Sequence, residues 1–571
     1  MRMEREKRGR KQIARAFMVL AGILFVFFWK TEKNLADWGN ILWTTEYTLT
    51  TLLVSLTVGG AIGCGFVFLL ERRKKGEVTN SRHFHKIGSI ISGWDERRVF
   101  AVSFFLILLS WLPVFLAYFP GICAYDAPVQ TGQAAENYYF DHHPILHTML
   151  IKAAMRLGSG VFGDTNMGIA VYTVCQMLFL AAAMSYGVKQ LHHFGIRVRW
   201  QVLVVFLGMF YPFNWYMSVS MTKDTVFTGF LLLLLVALAS LLLENRQSLK
   251  LCGTDVALLV GTVGMILFRN NGKFAMLVPL VFLVLMVLWG REGRRLWLRL
   301  LLVCGTAFLL GNISLSVLFS VTNAEQGDRR EMLSMPIQQL ARCMIYHGGV
   351  GVLTEDDGTM NDTDKAFIND FLLDESYREY DPHISDPVKR HTNTYVVRYR
   401  SGDFLRTYWH LLCQYPGDFI NAGLALNAGF FYPNDISHAF VNVTEGVHNN
   451  GYLQTRWDED TLGARGIYKD SKWPWLFDRL ERWADDNGYL ELPLLKYLFV
   501  PGVFLWYYCL LLGKLMINGR FRMCLPVSFI AGYYLTMFLG PTVQLRYIYP
   551  VMVALPFLML LSQGKYENED R

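Results

Sequence analysis

An all-α polytopic membrane fold, with about 12 transmembrane helices and a mixed extracytoplasmic domain, is predicted by three observations on the sequence. The first is composition: of 571 residues, 53% are hydrophobic and only 18% charged, with 40 Phe, 28 Tyr and 15 Trp, whereas a soluble chain averages about a quarter charged. The second is a set of twelve long apolar runs, and the third is the confinement of most Lys and Arg to alternate loops between them. The same numbers exclude disordered, collagen-like and basic nucleic-acid-binding classes. Nine cysteines lie singly with no C-x-x-C pair, which fits neither a disulfide framework nor a zinc site.

The runs occupy residues 16–29, 47–70, 99–118, 168–187, 201–213, 225–243, 256–268, 274–290, 300–321, 492–513, 524–539 and 547–562. A spanning helix needs roughly 17–25 apolar residues, so the first, fifth and seventh runs are short. The N-terminus has a basic start and a short apolar core but no small-x-small cleavage site, and reads as a retained anchor. Basic residues cluster in 2–15, 72–98, 189–199, 291–299 and 514–522. With twelve spans all of these fall on one face, which the positive-inside rule makes cytoplasmic, with both termini. Three regions follow: an N-terminal transmembrane module carrying the catalytic outer loops (1–321), an extracytoplasmic domain (322–489) and a C-terminal transmembrane module (490–571).

The cytoplasmic loops are short and lack a Gly-rich phosphate-binding loop, so nucleotide-driven chemistry has no seat there. Ionisable residues are nearly absent from the middles of the runs, where a coupled transporter usually needs them. They gather instead at the outer helix ends. In FPGICAYDAPVQTG, Phe119-Pro120-Gly121 ends the third run in a turn, and Tyr125 and Asp126 follow at once. A carboxylate beside apolar surface has a raised proton affinity, which suits a general base; the alternative is that Asp126 caps a helix starting near Pro128. Asp141, His142, His143 and His147 have the look of a metal cluster. Pro144 starts a helix there, however, so the same residues also read as a polar helix start facing an outer cleft, and no metal ligand is assigned.

Further along, Lys223 and Asp224 stand at the mouth of the sixth run, Arg269 and Asn270 between the seventh and eighth, and Arg546 and Tyr547 at the start of the last. Each could be a boundary marker or a cap. An outer Arg is also well shaped to hold a phosphate through its planar fork.

These residues resemble those of the C-type membrane glycosyltransferases (GT-C superfamily), multi-span enzymes that use polyprenyl-phosphate-linked sugars. The resemblance rests on an acid just after a span in the first long outer loop (Asp126), a downstream His-Pro helix start (His143-Pro144) and a second outer acid (Asp224). More closely, FPGICAYDAPVQ, DHHPILHTMLI, SMTKDTVF, LFRNNGKFA, SMPIQQLARC and QLRYIYPV are similar to a family of uncharacterised bacterial multi-pass proteins related to that superfamily. Two departures stand out: Asp126 is followed by Ala127 where the superfamily often has a second acid, and Pro144 by Ile145 where relatives often have a second proline. The resemblance implies a GT-C-like fold in a bacterial plasma membrane and transfer of a sugar from a polyprenyl-phosphate donor to a cell-envelope glycan or protein. Asp126 would be the base, with Asp224 as second choice. Tyr125, His142, His143, His147, Lys223, Arg269, Asn270, Arg546 and Tyr547 would bind substrate, and a divalent cation stays open as a cofactor. Partners would be the lipid-linked donor, the acceptor and membrane lipids, with no nucleic acid. The competing classes are a transporter or flippase for a lipid-linked glycan and a non-enzymatic surface receptor or scaffold.

Residues 322–489 turn abruptly polar. The stretch DDGTMNDTD lacks the full calcium-loop order and reads as a cap before DKAFINDFLLDE. Residues 415–433 are apolar with interspersed Asn and suit a membrane-surface or re-entrant segment. Trp457, Trp473, Trp475 and Trp483 suit either sugar stacking or an aromatic core or belt. Cys343 and Cys413, both outer, are candidates for a disulfide.

Overall fold

The computed structural model describes residues 2–565 apart from 42, 73–89, 246–249, 290–292, 328, 437–441, 445–446 and 450–452. Arg73, Lys74, Lys75 and Arg291, counted above among the basic loops, lie outside the described residues. The first two apolar runs form α1 (Arg2–Trp38) and a long helix made of α2 (Thr45–Val54), a π turn (Ser55–Gly59) and α3 (Gly60–Arg72). A Cβ on Gly22 or Gly59 would run into the backbone of the other helix. Backbone therefore packs on backbone, as at small-residue crossings of membrane helices.

The third run is α4 (Glu96–Ala117), capped by the Asp95 carboxylate, which accepts from Arg98 N. Two short helices follow, α5 (Ala127–Glu136) and α6 (Ile145–Leu157), then the long α7 (Thr165–His193). The fifth run is broken: α8 (Val198–Phe210) and α9 (Pro212–Val219) meet at 54°, because Pro212 removes a backbone donor and opens the helix there. α10 (Lys223–Glu244) is apolar on every side and almost wholly buried, the signature of a central helix. After it come α11 (Gly253–Phe268), α12 (Gly272–Ala275), α13 (Leu277–Trp289) and α14 (Arg294–Thr322).

The polar region that follows holds α15 (Ser334–His347), α16 (Asp362–Phe371), α17 (Asp386–Arg390), α18 (Thr394–Tyr399), α19 (Ser401–Gln414) and α20 (Pro416–Asn427). One antiparallel hairpin, β1 (Asn442–Thr444) with β2 (Val447–Asn449), sets Asn442 opposite Asn449. Then come α21 (Glu459–Gly463) and α22 (Pro474–Asp485). The bundle closes with α23 (Val503–Ile517), α24 (Cys524–Met537) and α25 (Leu545–Leu561), and α10 packs against α7, α11 and α25.

Among the described residues, seven of the twelve runs are long, apolar helices able to cross a membrane, or eight if the bent α8–α9 pair is one span. The other runs give helices of 16, 15, 14 and 17 residues. At about 1.5 Å per residue these reach roughly 21–26 Å, short of a hydrocarbon core of about 30 Å. The tenth run changes most: 492–502 stays outside the helix, interrupted by Pro493 and Pro501, and α23 starts only at Val503.

The polar region is helical rather than mixed, with the single hairpin as its only strands among the described residues. Its helices α15 to α20 enclose a separate apolar core that includes Ile337, Leu340, Met344, Ile368 and Phe371. From Ala425 onward the chain joins the main core of the bundle. Within the 415–433 stretch, α20 packs on α15 and α1 with Phe419, Asn421, Ala422, Ala425 and Leu426 buried. Asn361 caps α16 by accepting from Asp364 N at 2.9 Å, and Asp356 takes the backbone N–H groups of Gly349, Val350, Gly351 and Gly358. The acidic stretch is thus a cap and a turn. Cys343 is buried and Cys413 exposed, and both are free thiols.

One charge network ties this helical region to the first connecting loop. Arg342 donates to Asp418 Oδ1 (2.9 Å), to the Gly39 carbonyl (3.0 Å) and to Asn40 Oδ1 (3.0 Å). His347 lies flat on Tyr415 between Asp418 (2.9 Å) and Asp357 (3.0 Å). Burial pulls the imidazole's proton affinity down, but the two carboxylates outweigh it and the His347 pKa is raised; that of Asp418 is lowered against burial by His347 and Arg342. The His347 contribution is full below its unfolded pKa of about 6.5 and is lost as pH rises through the folded value. That of Asp418 is lost only as pH falls below about 4. Hydrogen-exchange protection of residues 334–427 is therefore expected to decline as pH rises above about 6.5, and His347→Gln is expected to remove that decline; an unchanged decline in the variant contradicts the assignment.

Candidate functional site

The site is built where the chain leaves α4. Gly121 has φ +149°, and a Cβ there would collide with Thr173 Oγ1 and stand 3.0 Å from the Val219 carbonyl oxygen. The turn it permits lets Ile122 N donate to Val219 O (2.8 Å) and Met221 N donate to Ile122 O (2.8 Å). This two-residue bridge lays the strand-like approach to α5 beside the approach to α10. Gly121→Ala is expected to cost about 1–3 kcal/mol from backbone conformation alone, measured as a lower unfolding temperature of the purified chain; an unchanged temperature contradicts the tight turn. Tyr125 follows at φ +56°, a conformation costly for a bulky residue and common at functional sites.

Asp126 occupies the cap position of α5, yet its side chain caps no backbone N–H. It turns instead to the start of α25, where Arg546 Nη1 donates to Oδ2 at 2.6 Å, and to the start of α10, where Lys223 Nζ lies 2.7 Å from the same oxygen. His143 Nδ1 stands 3.3 Å from Lys223 Nζ and 3.6 Å from Asp126 Oδ2. All three approaches are to Oδ2; Oδ1 has no side-chain partner among the described residues. Next to this group Arg269, at the end of α11, pairs with Asp224 Oδ1, while Thr222 Oγ1 (3.3 Å) and Arg546 Nε (3.8 Å) face Oδ2. The Arg269 guanidinium sits 4.8–5.4 Å from the rings of Tyr547, Tyr533 and Phe227, and that of Arg546 sits 5.0 Å from Tyr125 and Tyr547, within cation–π range.

Three cations, Lys223, Arg269 and Arg546, thus meet two carboxylates, leaving one positive charge in excess. The pairing reverses the proton affinity expected of Asp126. Burial alone would raise its pKa, but Arg546 and Lys223 hold the carboxyl well below the usual range. His143 is shifted down by burial, with Lys223 adding to it against the pull of Asp126. A neutral imidazole that accepts from the lysine through Nδ1 fits this. Asp224 is fully buried, whereas the Asp126 side chain keeps 17% of its surface exposed, so Asp126 is the carboxylate a substrate can reach.

Of the eleven candidates, Tyr125, Asp126, His143, Lys223, Asp224, Arg269, Arg546 and Tyr547 come together here. His147 does not: it is buried with Nδ1 on Gln130 (2.9 Å) and Nε2 on Tyr172 (2.6 Å), and burial pushes its pKa down to about 3. Both ring nitrogens are engaged, so it braces α6 against α5 and α7. No group of three or more His, Cys, Asp or Glu side chains among the described residues is placed to hold a metal, and the Asp141–His147 segment therefore forms no cluster. His142 is exposed, and Asn270 donates to the Asp141 carbonyl, fastening the turn after α11 to the loop before α6. Sequence reading missed Tyr533, Phe227 and Gln544, the last of which takes Arg546 Nε at 2.6 Å.

No curated protein and no solved structure matches the chain. A family model described as a family of unknown function (DUF6020) matches residues 133–570, more than three quarters of the chain. Lys223, Asp224, Arg269 and Arg546 fall inside the match, and Asp126 lies seven residues before it. The chain belongs to the DUF6020 family.

Proposed function

We propose that the chain is a membrane glycosyltransferase that moves a sugar from a polyprenyl-phosphate-linked donor to a cell-envelope glycan or protein at the outer face of a bacterial plasma membrane, with both termini cytoplasmic. The observation that carries this reading is the convergence of a reachable carboxylate, Asp126, with the guanidinium of Arg546 and the ammonium of Lys223 at the mouths of apolar helices. In the reaction, an acceptor hydroxyl attacks the anomeric carbon of the donor sugar and loses its proton to Asp126 Oδ1. The bond from that carbon to the phosphate oxygen breaks, and the electron pair leaves with the polyprenyl phosphate. Arg546 and Lys223 stabilise the negative charge that builds on the leaving phosphate; each preorganised donor of this kind contributes about 3 kcal/mol.

The low proton affinity of Asp126 is consistent with this role. A phosphate that engages Arg546 and Lys223 dilutes their pull on Asp126, so donor binding itself raises the affinity of the base. Asp224, paired with Arg269, holds the second wall of the site in place. The test is to incubate the full chain in nanodiscs with a polyprenyl-phosphate sugar and an envelope fraction. Acceptor-dependent release of free polyprenyl phosphate is expected; movement of the intact lipid between leaflets without cleavage would carry the flippase reading instead.

A further inference from the structure

Beside the charged cluster, a cavity of about 120 Å³ lies between the end of α4 and the chain around α21 and α22. Its walls include four aromatic rings, those of Tyr118, Phe119, Trp457 and Phe477, with Lys469 and Ser471 as polar groups. An engineered cavity of about 150 Å³ encloses benzene; this space is smaller and partly open, so it takes one face of a six-membered ring without enclosing it. The aromatic walls are fixed: Tyr118 and Phe477 meet edge to face at 5.1 Å, and Tyr118 OH donates to Glu481 Oε2 at 2.8 Å. Lys469 Nζ stands 5.8 Å from the Trp457 ring and 5.9 Å from the Phe477 ring, on a side chain held by Glu459 at 2.8 Å.

The cavity is joined to the catalytic segment by short covalent and hydrogen-bonded links. Asp470 N donates to Phe119 O (3.0 Å) and Lys472 N to Leu116 O (2.9 Å), clamping the chain onto the end of α4. Gln454 N donates to Tyr125 OH at 3.1 Å, and the neighbouring Thr455 lines the cavity. Ile122, on its wall, is four residues from Asp126, which bounds their Cα separation at about 15 Å.

We propose that this cavity binds one pyranose ring of the acceptor, and thereby sets which glycan reaches Asp126. A sugar ring has apolar C–H faces and a hydroxyl rim. Aromatic walls with an ammonium and a hydroxyl match that pattern, whereas a lipid tail has no polar rim to meet them. The assignment deepens the glycosyltransferase reading, and its test separates the two.

Saturation-transfer NMR on the detergent-solubilised full chain uses methyl glycosides of glucose, mannose and N-acetylglucosamine as probes, with cyclohexane-methanol as the apolar ring control. At least one glycoside is expected to give a signal well above the control, to lose it at least fivefold in both Phe477→Ala and Lys469→Met, and to keep it in Asp126→Asn. Lys469→Met, a partly exposed site, guards against loss through misfolding. If no glycoside exceeds the control, or if both cavity variants retain the signal, the proposal is overturned. Sugar binding by a wild-type chain that releases no polyprenyl phosphate would count against the catalytic reading alone.

Discussion

Asp126→Asn is expected to slow sugar transfer by about a hundredfold to ten-thousandfold, the usual worth of a positioned general base. Asparagine keeps the shape and can still accept from Arg546, but it cannot take the acceptor's proton. The direction of the donor response distinguishes this from a structural role. Removing a negative charge 2.6 Å from Arg546 and 2.7 Å from Lys223 frees both cations for phosphate, so the KM for the lipid-linked donor should stay level or fall while kcat collapses. A structural ion pair predicts the opposite, with kcat falling only in step with the amount of folded chain. Asp126→Glu retains a base on a longer arm and should recover part of the rate.

Asp224→Ala should act mainly through stability. Its carboxylate is fully buried against Arg269, Thr222 and Arg546, and removing one partner of a buried pair typically costs about 3–5 kcal/mol because the other charge is stranded. The unfolding temperature and the yield of folded chain from detergent should both drop sharply. The double variant Asp224→Leu with Arg269→Met removes both charges and should regain much of the lost stability without regaining transfer. A single variant as stable as the parent would remove Asp224 from its proposed place in the site wall.

Much of the architecture is legible because apolar runs mark helices whether lipid or protein buries them. Every run contains a helix, the fifth broken at Pro212 and the tenth helical only from Val503, but composition cannot separate a 16-residue helix such as α11, packed against α10 and α14, from one that crosses a bilayer. That ambiguity accounts for the difference between twelve runs and seven long helices. The site residues are visible for a related reason: a charge at the mouth of an apolar run is an anomaly, and Asp126, Lys223, Asp224, Arg269 and Arg546 each stand out as one.

Their partnership is not legible, since it depends on the Ile122, Val219 and Met221 bridge and on α10 packing against α11 and α25. The proton affinity of Asp126 is misread for the same reason. Its controlling cations lie 97 and 420 residues away in the chain, and no local pattern announces them. Tyr533 and Phe227 escape notice because an aromatic residue inside an apolar helix is indistinguishable from core filling until Arg269 is seen among them. His147, four residues after His143, looks like a ligand in sequence and proves to be a brace, because Gln130 and Tyr172 occupy both its nitrogens.

The most direct measurement is profiling of polyprenyl lipids and envelope glycans in a deletion strain complemented with the wild-type chain or with Asp126→Asn. The predicted result is restoration of a glycan decoration by the wild type. In the Asp126→Asn strain that decoration should be missing and the polyprenyl-phosphate sugar should accumulate. Identical glycans in the two strains, with no lipid-linked sugar accumulating, would contradict transfer at Asp126.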